Sequence, residues 1–329
     1  MTQPGDPDVL QLQSVPEPQI ENDTEMLVRL IAAGINPIDT KIRKRGTFYP
    51  EQSQAILGCD GAGIVEAVGA GVKNFQQGDE VYFCSGGLGG KFGNYAEMTV
   101  VDERFVARKP STLSFQEAAA APLVLITAWE ALCDRAKMQA GQKILVHAGA
   151  GGVGHVAIGL AKLHQAEVCT TVSSEEKAAF TRQLGADKTI LYKNTDFAQA
   201  ALDWTNGNGV DIVFDTVGGE TFSQSFPAVK VYGDVVTILD ADPQTNWKIA
   251  RSRNLKVSFE LMLTPLLQNL VAARVHQASI LTRCAEWIDA GKLKIRVSRV
   301  FPLQDAAAAH KLLEAGSLTG KIALQISAE

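Results

Sequence analysis

The sequence predicts an α/β protein that combines a β-rich domain with a doubly wound parallel sheet. Short β-forming runs, broken by glycine and proline, fill the first 110 residues, and strands alternate with helices from residue 143 onward. The chain also has 329 residues, which is more than a single hydrophobic core usually supports. Because the alternating part lies in mid-chain, we expect one domain to interrupt the other.

The β-rich domain is predicted from four runs at 27–31, 63–68, 80–83 and 96–101. Their spacing is typical of a small antiparallel, barrel-like domain. A last strand, 322–326, follows helices near the C-terminus, and we expect this end of the chain to return to the first domain.

The sequence changes character at Ser114, where a long alanine-rich helical stretch begins. Ser114 and Glu117 have the spacing of a capping box, and Pro122 interrupts the stretch. We therefore place the first domain at residues 1–118 and 261–329 and the second at 119–260.

The most informative segment reads as a strand, a glycine turn, a helix and a second strand. An apolar run at 144–146 precedes glycines in a G-x-G-x-x-G pattern, and a second run at 168–172 completes a βαβ unit. The glycines permit a tight turn and let backbone approach a pyrophosphate, while the helix N-terminus attracts its negative charge. The sequence therefore predicts a dinucleotide site. Its turn contacts are Gly149, Gly151, Gly152, Val153 and Gly154.

The alternation continues beyond this unit, as a doubly wound sheet requires. We predict a helix over 173–184 that is closed by Gly185. The predicted strands that follow are 188–191, 210–214, 235–239 and 256–259.

The end of the second strand of the βαβ unit indicates which dinucleotide binds. An NAD site usually has an acid there for the ribose hydroxyls. Glu175 is a candidate by counting, but the capping-box spacing of Ser173 and Glu176 places it in the first turn of a helix. Ser173 and Ser174 can instead donate to a 2′-phosphate, and Lys177 adds a positive charge one turn later. This pattern favours NADPH.

Composition excludes several classes of protein. A hydrophobic content of 46%, with no apolar run near the length of a membrane span, indicates a protein without a membrane segment. A net charge of −5 argues against general binding of nucleic acid. The N-terminus lacks a signal-peptide pattern and the five cysteines are scattered, so we expect a cytoplasmic protein.

The ordered motifs of the chain resemble one family along essentially its whole length. The matching segments are GINPIDTKIRKRG (34–46), LGCDGAGIVEAVGAGV (57–72), GDEVYF (78–83), GNYAEM (93–98), HAGAGGVG (147–154), LGAD (184–187), FDTVGG (214–219) and LLEAGSLTGKIAL (312–324). The chain thus resembles the zinc-free quinone oxidoreductases, the zeta-crystallin-like branch of the medium-chain dehydrogenase/reductases. The resemblance implies a GroES-like catalytic domain, a Rossmann domain for a nicotinamide cofactor, and a homodimer.

The resemblance also implies roles for individual residues. Asn36 would donate its amide to the substrate or the nicotinamide, or would simply be a turn residue before Pro37. Tyr49 would donate its hydroxyl, stack on the acceptor or only pack, and Thr127 would orient the carboxamide. Phe259 and Met262 would line the acceptor pocket or belong to the core. The remaining expected cofactor contacts are Tyr192, Val217 and Leu239.

Zinc-dependent relatives hold their metal with a cysteine, a histidine and a third ligand at positions that differ here. Those positions contain Asn36, Cys59 and the apolar segment 122–127. One thiol cannot form a three-ligand site, so we expect no zinc. We interpret Cys59 as a small buried residue, and the histidines show no ligand spacing.

The expected activity is transfer of hydride from NADPH to a quinone, whose reduced oxygen does not need a dedicated acid. Reduction of α,β-unsaturated carbonyls is the alternative. A third interpretation is a nucleotide-binding protein without turnover.

Overall fold

The computed structural model describes residues 1–49 and 54–327, which form two compact units. Unit 1 comprises 1–123, 263–291 and 295–329, and unit 2 comprises 124–262 and 292–294. The divisions follow Leu123 and Met262, whereas the sequence suggested residues 118 and 260. The Leu123 N–H donates to the Asp60 carboxylate (2.9 Å), which holds this part of the chain in unit 1.

The strands are, in chain order, β1 Glu25–Ile35, β2 Asp60–Val68, β3 Glu80–Cys84, β4 Met98–Asp102, β5 Ala107–Arg108, β6 Lys143–Val146, β7 Glu167–Val172, β8 Lys188–Leu191, β9 Val210–Asp215, β10 Val229–Thr237, β11 Lys256–Phe259, β12 Val297–Pro302 and β13 Lys321–Gln325. The helices are α1 Pro37–Arg45, α2 Phe115–Ala119, α3 Pro122–Trp129, α4 Gly152–Leu163, α5 Glu175–Gln183, α6 Phe197–Trp204, α7 Gly219–Gln224, α8 Trp247–Ser252, α9 Thr264–Leu267, α10 Val271–Asp289 and α11 Ala306–Ala315. Among these described helices, none is long and apolar enough to cross a bilayer.

Unit 1 is built on a largely antiparallel sheet with the order β12-β13-β1-β2-β3-β5, in which β4 also pairs with β1. β1 is its longest strand and bonds to β2, β4 and β13. Alternate β1 side chains, Met26, Val28 and Leu30, are fully buried in the core below the sheet. The C-terminal strands therefore complete the β-rich domain, as the sequence predicted.

Unit 2 is a parallel sheet with the order β11-β10-β9-β6-β7-β8. The chain leaves the central strand β6 toward β7 on one side and returns to β9 on the other. This reversal of strand order opens a crevice at the carboxyl ends of the strands, where α/β sheets bind their ligands. The doubly wound sheet that the sequence predicted is confirmed.

Several elements differ from their predicted bounds, among them β10 and α5. β10 begins at Val229 rather than near residue 235, and its pairing with β9 is irregular between Val229 and Asp234. Tyr232 has a left-handed backbone there, with φ at 63°, which interrupts the alternation of apolar residues. α5 begins at Glu175 rather than 173, because Ser174 caps it.

Candidate active site

The glycine turn lies between β6 and α4, at the carboxyl edge of the unit 2 sheet. The Ala148 N–H donates to Thr171 Oγ1 (3.0 Å), and the Gly151 N–H donates to the Ala148 carbonyl (2.8 Å). Gly151 is the N-cap of α4 and has no side chain to bond the first turn. The N–H groups of that turn therefore keep donor capacity that no helical carbonyl can use.

The three motif glycines serve different purposes. A Cβ on Gly149 would lie 2.0 Å from Thr170 Oγ1, and one on Gly154 would lie 2.4 Å from the Ala148 carbonyl oxygen. A Cβ on Gly151 would meet just that carbonyl oxygen, at 3.1 Å. Two glycines thus permit close packing, whereas the third leaves open space before the helix N-terminus. The cradle fits a pyrophosphate, and Gly152 and Val153 in the first turn of α4 would supply N–H donors.

The predicted phosphate-binding residues lie together at the ends of β7 and β8. Val172 pairs with Leu191, so Ser173 and Tyr192 leave the sheet side by side. The Tyr192 N–H donates to the Val172 carbonyl (3.3 Å), and the Tyr192 ring is about half exposed. Lys177 is half-buried on α5.

The cap of α5 differs from the expected one. Ser174 Oγ accepts the Lys177 N–H (3.3 Å), so the cap lies one residue after Ser173. Glu175 is in the first turn, as predicted, and its carboxylate pairs with Arg182 at 3.3 Å. Glu175, the acid nearest to the expected position of the ribose, therefore forms an ion pair within its own helix.

Asp215 organises the other side of the crevice, and sequence reasoning missed it. Its carboxylate accepts the N–H groups of Val217 and Gly218 (both 3.0 Å) and the Thr237 hydroxyl (2.8 Å). Thr237 Oγ1 in turn accepts the Leu239 N–H (3.2 Å). One buried carboxylate therefore shapes both loops that carry the predicted contacts Val217 and Leu239. The sequence signal for Asp215 was an acidic residue at the end of an apolar strand, in the segment FDT.

Three other predicted residues lie elsewhere in unit 2. Thr127 is buried on α3. Phe259 ends the edge strand β11 and is 57% exposed, whereas Met262 is buried. Of the two expected pocket residues, Phe259 presents a free surface in this unit, and Met262 packs in the interior.

In unit 1, Asn36 is fully buried at the start of α1 rather than open to solvent. Its Nδ2 donates to Asp60 Oδ2 (2.9 Å), and its Oδ1 accepts a hydrogen bond from Lys321 Nζ. Its backbone N–H donates to Asp39 Oδ2 (2.8 Å). The amide that we expected to face the substrate thus binds two buried charged residues.

A buried polar chain continues from this point. Tyr95 donates its hydroxyl to Asp39 Oδ2 (3.1 Å) and lies 3.2 Å from His310 Nε2. Burial raises the pKa of Asp39 to about 7 and that of Asp60 to about 6, and it lowers the pKa of Lys321. The chain was not visible in the sequence, because its members are far apart along it.

The donor set around Cys59 does not suit zinc. Burial raises the pKa of the Cys59 thiol well above its usual range, which opposes the thiolate that zinc requires. The neighbouring Asn36 oxygen accepts from the Lys321 ammonium. Over residues 1–49 and 54–327, no cluster of three or more His, Cys, Asp or Glu side chains is arranged to hold a metal ion.

Tyr49 lies on a pocket of about 190 Å³ within unit 1. It is also lined by Phe83 from β3, Ser85 and Phe92 from the segment that follows β3, and Arg274 from α10. Asn36 is not one of the lining residues. Of the two residues of this unit that were proposed for catalysis, Tyr49 therefore lines a pocket, whereas Asn36 is buried in the interior.

Comparison with known proteins identifies the family. The model described as the alcohol dehydrogenase GroES-like domain matches residues 22–111, and the one described as zinc-binding dehydrogenase matches 184–324. The chain is 34% identical to the quinone oxidoreductase of Pseudomonas aeruginosa, over 97% of this chain and 96% of that protein. The chain belongs to the quinone oxidoreductase branch of the medium-chain dehydrogenase/reductases. It is an oxidoreductase.

Two further relatives bear on the chemistry of this branch. The chain is 33% identical to the chloroplastic NADPH-dependent alkenal/one oxidoreductase of Arabidopsis thaliana, over 97% of this chain and 76% of that protein. The Escherichia coli quinone oxidoreductase complexed with NADPH has a TM-score of 0.85 and 30% identity, over 99% of this chain and 98% of that one. These similarities confirm the GroES-like and Rossmann folds, and they fit either of the two expected reactions.

Proposed function

We propose that this protein is a zinc-independent reductase that uses NADPH to reduce a quinone. The observation that carries the proposal is the edge formed by β7 and β8. Ser173, Ser174, Lys177 and Tyr192 lie there where an NAD site has an acid. The NADPH-dependent alkenal/one oxidoreductase of Arabidopsis thaliana and the NADPH complex of the Escherichia coli quinone oxidoreductase support the same choice.

The chain's own residues would bind and orient the cofactor. The first turn of α4 would bind the pyrophosphate, the hydroxyls of Ser173 and Ser174 would donate to the 2′-phosphate, and the Lys177 ammonium would neutralise its charge. Val217 and Leu239 lie on the loops on the other side, which Asp215 and Thr237 hold. Thr127 would orient the carboxamide. NADPH itself supplies the hydride.

A quinone acceptor fits the described residues, in which the donor set around Cys59 does not suit zinc. A simple ketone develops an alkoxide that ordinarily needs a metal ion or a positioned acid. A quinone spreads the added charge over its ring and can take its proton from water. Tyr49 places a phenolic donor on the lining of the pocket in unit 1.

Reduction of an alkenal or enone is the second candidate. The plant alkenal/one oxidoreductase covers nearly all of this chain at an identity similar to that of the quinone oxidoreductases. The cofactor residues would be the same for both reactions, so the difference lies in the acceptor.

We also propose a cytoplasmic homodimer. β11 pairs with β10 on one side and is an edge strand of the described sheet. Its free edge can bond to a symmetry mate. Light scattering at working concentration tests the dimer, and a monomer would contradict it.

The test of function is NADPH oxidation by purified protein with a panel of benzoquinones, naphthoquinones, alkenals and ketones. We expect small quinones to react fastest and ketones to be inert. Preference for alkenals over every quinone would replace the quinone assignment with the second candidate. Inactivity with all acceptors, together with NADPH binding, would support a nucleotide-binding protein without turnover.

A further inference from the structure

Arg274 has an unusual environment for a partly buried cation. Its Cζ lies 3.5 Å from the centroid of the Phe105 ring, and its Nη2 donates to Ser85 Oγ (2.9 Å). These two contacts fix the guanidinium, yet it forms no ion pair with any residue of 1–49 or 54–327. Burial lowers its pKa to about 10, so it stays charged at neutral pH without a carboxylate partner.

A second arginine on the same ring provides a comparison. Arg104 Cζ lies 5.5 Å from the Phe105 centroid, and its guanidinium makes two hydrogen bonds to the Asp102 carboxylate (2.9 and 2.7 Å). Arg104 therefore has the paired partner that a guanidinium prefers. Arg274 has the same planar fork, with N–H groups that the described protein leaves unused.

The space next to Arg274 is the pocket that also contains Tyr49. Its lining includes the aromatic rings of Phe83 and Phe92, and the lining residues within 1–49 and 54–327 include no carboxylate. The second cation on the lining, Lys91, already pairs with Glu21. The pocket thus combines flat apolar walls with one cation that is free to bind a ligand.

The size of the pocket limits the ligand. A cavity of about 150 Å³ accommodates benzene, so the volume of about 190 Å³ admits one ring with a small substituent. A planar guanidinium recognises a carboxylate through two parallel hydrogen bonds, more strongly where water is partly excluded.

We propose that this pocket binds a single-ring aromatic or quinoid compound through a carboxylate that pairs with Arg274. The bound ring would contact the aromatic walls, with Tyr49 at its edge. That this compound is the electron acceptor rests on the proposed function. The binding of the compound does not rest on the proposed function, because every described lining residue of the pocket belongs to unit 1, whereas the proposed cofactor contacts belong to unit 2.

The binding experiment uses a compound that cannot be reduced by hydride transfer. We would titrate the full-length protein with 4-hydroxybenzoate and with its methyl ester by calorimetry. We expect the acid to bind more tightly than the ester, and Arg274→Met to weaken binding of the acid about 10- to 100-fold. Arg274→Lys keeps the positive charge but lacks the planar guanidinium, so its affinity for the acid should lie between those of the wild type and Arg274→Met. Arg104→Met is the matched control and should bind like the wild type.

The turnover experiment compares a carboxylated benzoquinone with its methyl ester. We expect a lower KM for the acid in the wild type, and loss of that preference in Arg274→Met. Equal binding of acid and ester, or equal weakening by Arg104→Met and Arg274→Met, would overturn the proposal. Tight, Arg274-dependent binding in a protein inactive on every acceptor would support the pocket and refute its role in catalysis.

Discussion

The Lys321 ammonium donates a hydrogen bond to the side-chain oxygen of Asn36, although the two residues are 285 positions apart. It donates a second bond to the Ile35 carbonyl (2.8 Å). The last strand of the chain thereby fixes the start of α1. It also sets the orientation of the Asn36 amide, whose nitrogen points to Asp60.

Replacement of Lys321 by methionine should destabilise the fold. Asn36 Oδ1 and the Ile35 carbonyl would remain buried without this donor, which costs about 1–3 kcal/mol in the free energy of unfolding. Urea denaturation measures the change. Lys311→Met is the control, because Lys311 is exposed and pairs with the exposed Asp8. Equal stability of the two variants would contradict the role of Lys321.

Removal of metal should leave the activity unchanged. The Asn36 oxygen accepts a hydrogen bond from the Lys321 ammonium. Burial raises the pKa of the Cys59 thiol, which opposes its ionisation. Neither residue therefore suits zinc. Elemental analysis of protein purified without chelators, followed by assay after dialysis against EDTA, measures this. Stoichiometric zinc whose removal abolishes activity would show that a metal site exists.

Alanine at two glycines of the turn should have different effects. Gly154→Ala should lower stability, because its Cβ would lie 2.4 Å from a backbone oxygen. Gly151→Ala should fold normally but bind NADPH more weakly, because its Cβ would occupy the space open to the pyrophosphate. Thermal melts and cofactor titrations separate the two effects. Unchanged NADPH affinity in Gly151→Ala would place the pyrophosphate elsewhere.

Lys177→Ala should weaken NADPH binding and leave NADH binding nearly unchanged. The loss of a charge-assisted hydrogen bond to the 2′-phosphate costs roughly 1.5–3 kcal/mol. Fluorescence titration with both cofactors measures it. Lys248→Ala, at an exposed position on α8, is the control for the change of net charge. Equal losses for both cofactors would show that Lys177 does not contact the phosphate.

Buried groups in unit 1 should give opposite pH dependences. Burial raises the pKa of Asp39 to about 7, so the folded state holds a proton that the unfolded state releases above pH 4, and this contribution to stability is lost as pH rises. Asp39→Asn should therefore gain stability relative to the wild type between about pH 4 and 7. The slope is about 1.4 kcal/mol per pH unit at most.

His310 should show the reverse slope. Burial, and then Arg43, lower its pKa to about 4, so its contribution to stability is complete above pH 6.5 and is lost as pH falls toward 4. His310→Gln should therefore lose stability relative to the wild type as pH rises from about 4 to 6.5. Denaturant titrations between about pH 4 and 7 measure the free energy of unfolding of both variants. If the free energy of unfolding of a variant followed pH as that of the wild type does, the pKa shift assigned to the replaced residue would be refuted.

Local sequence signals predicted much of the fold. The Ser114–Glu117 capping box is present, and β8 and β11 have the predicted bounds. Each of these features depends on residues a few positions apart, whose preferences can be derived from the sequence directly. The glycine turn belongs to the same class.

The remaining parts of the site depend on contacts between distant segments. Lys321 reaches Asn36 only when β13 pairs with β1, and Asp215 serves loops from two strands. No local pattern shows that a lysine near the C-terminus is buried, since lysine is usually exposed. The expected substrate contact of Asn36 was inferred without knowledge of these partners.

The left-handed backbone of Ala148, with φ at 49°, has a thermodynamic consequence for cofactor recognition. An L-residue pays about 1–2 kcal/mol to adopt this conformation, and here the hydrogen bonds of Thr171 and Gly151 maintain it before any ligand arrives. The turn is thus ordered when the protein folds. Association with a dinucleotide does not have to order it, so the phosphate cradle is preorganised.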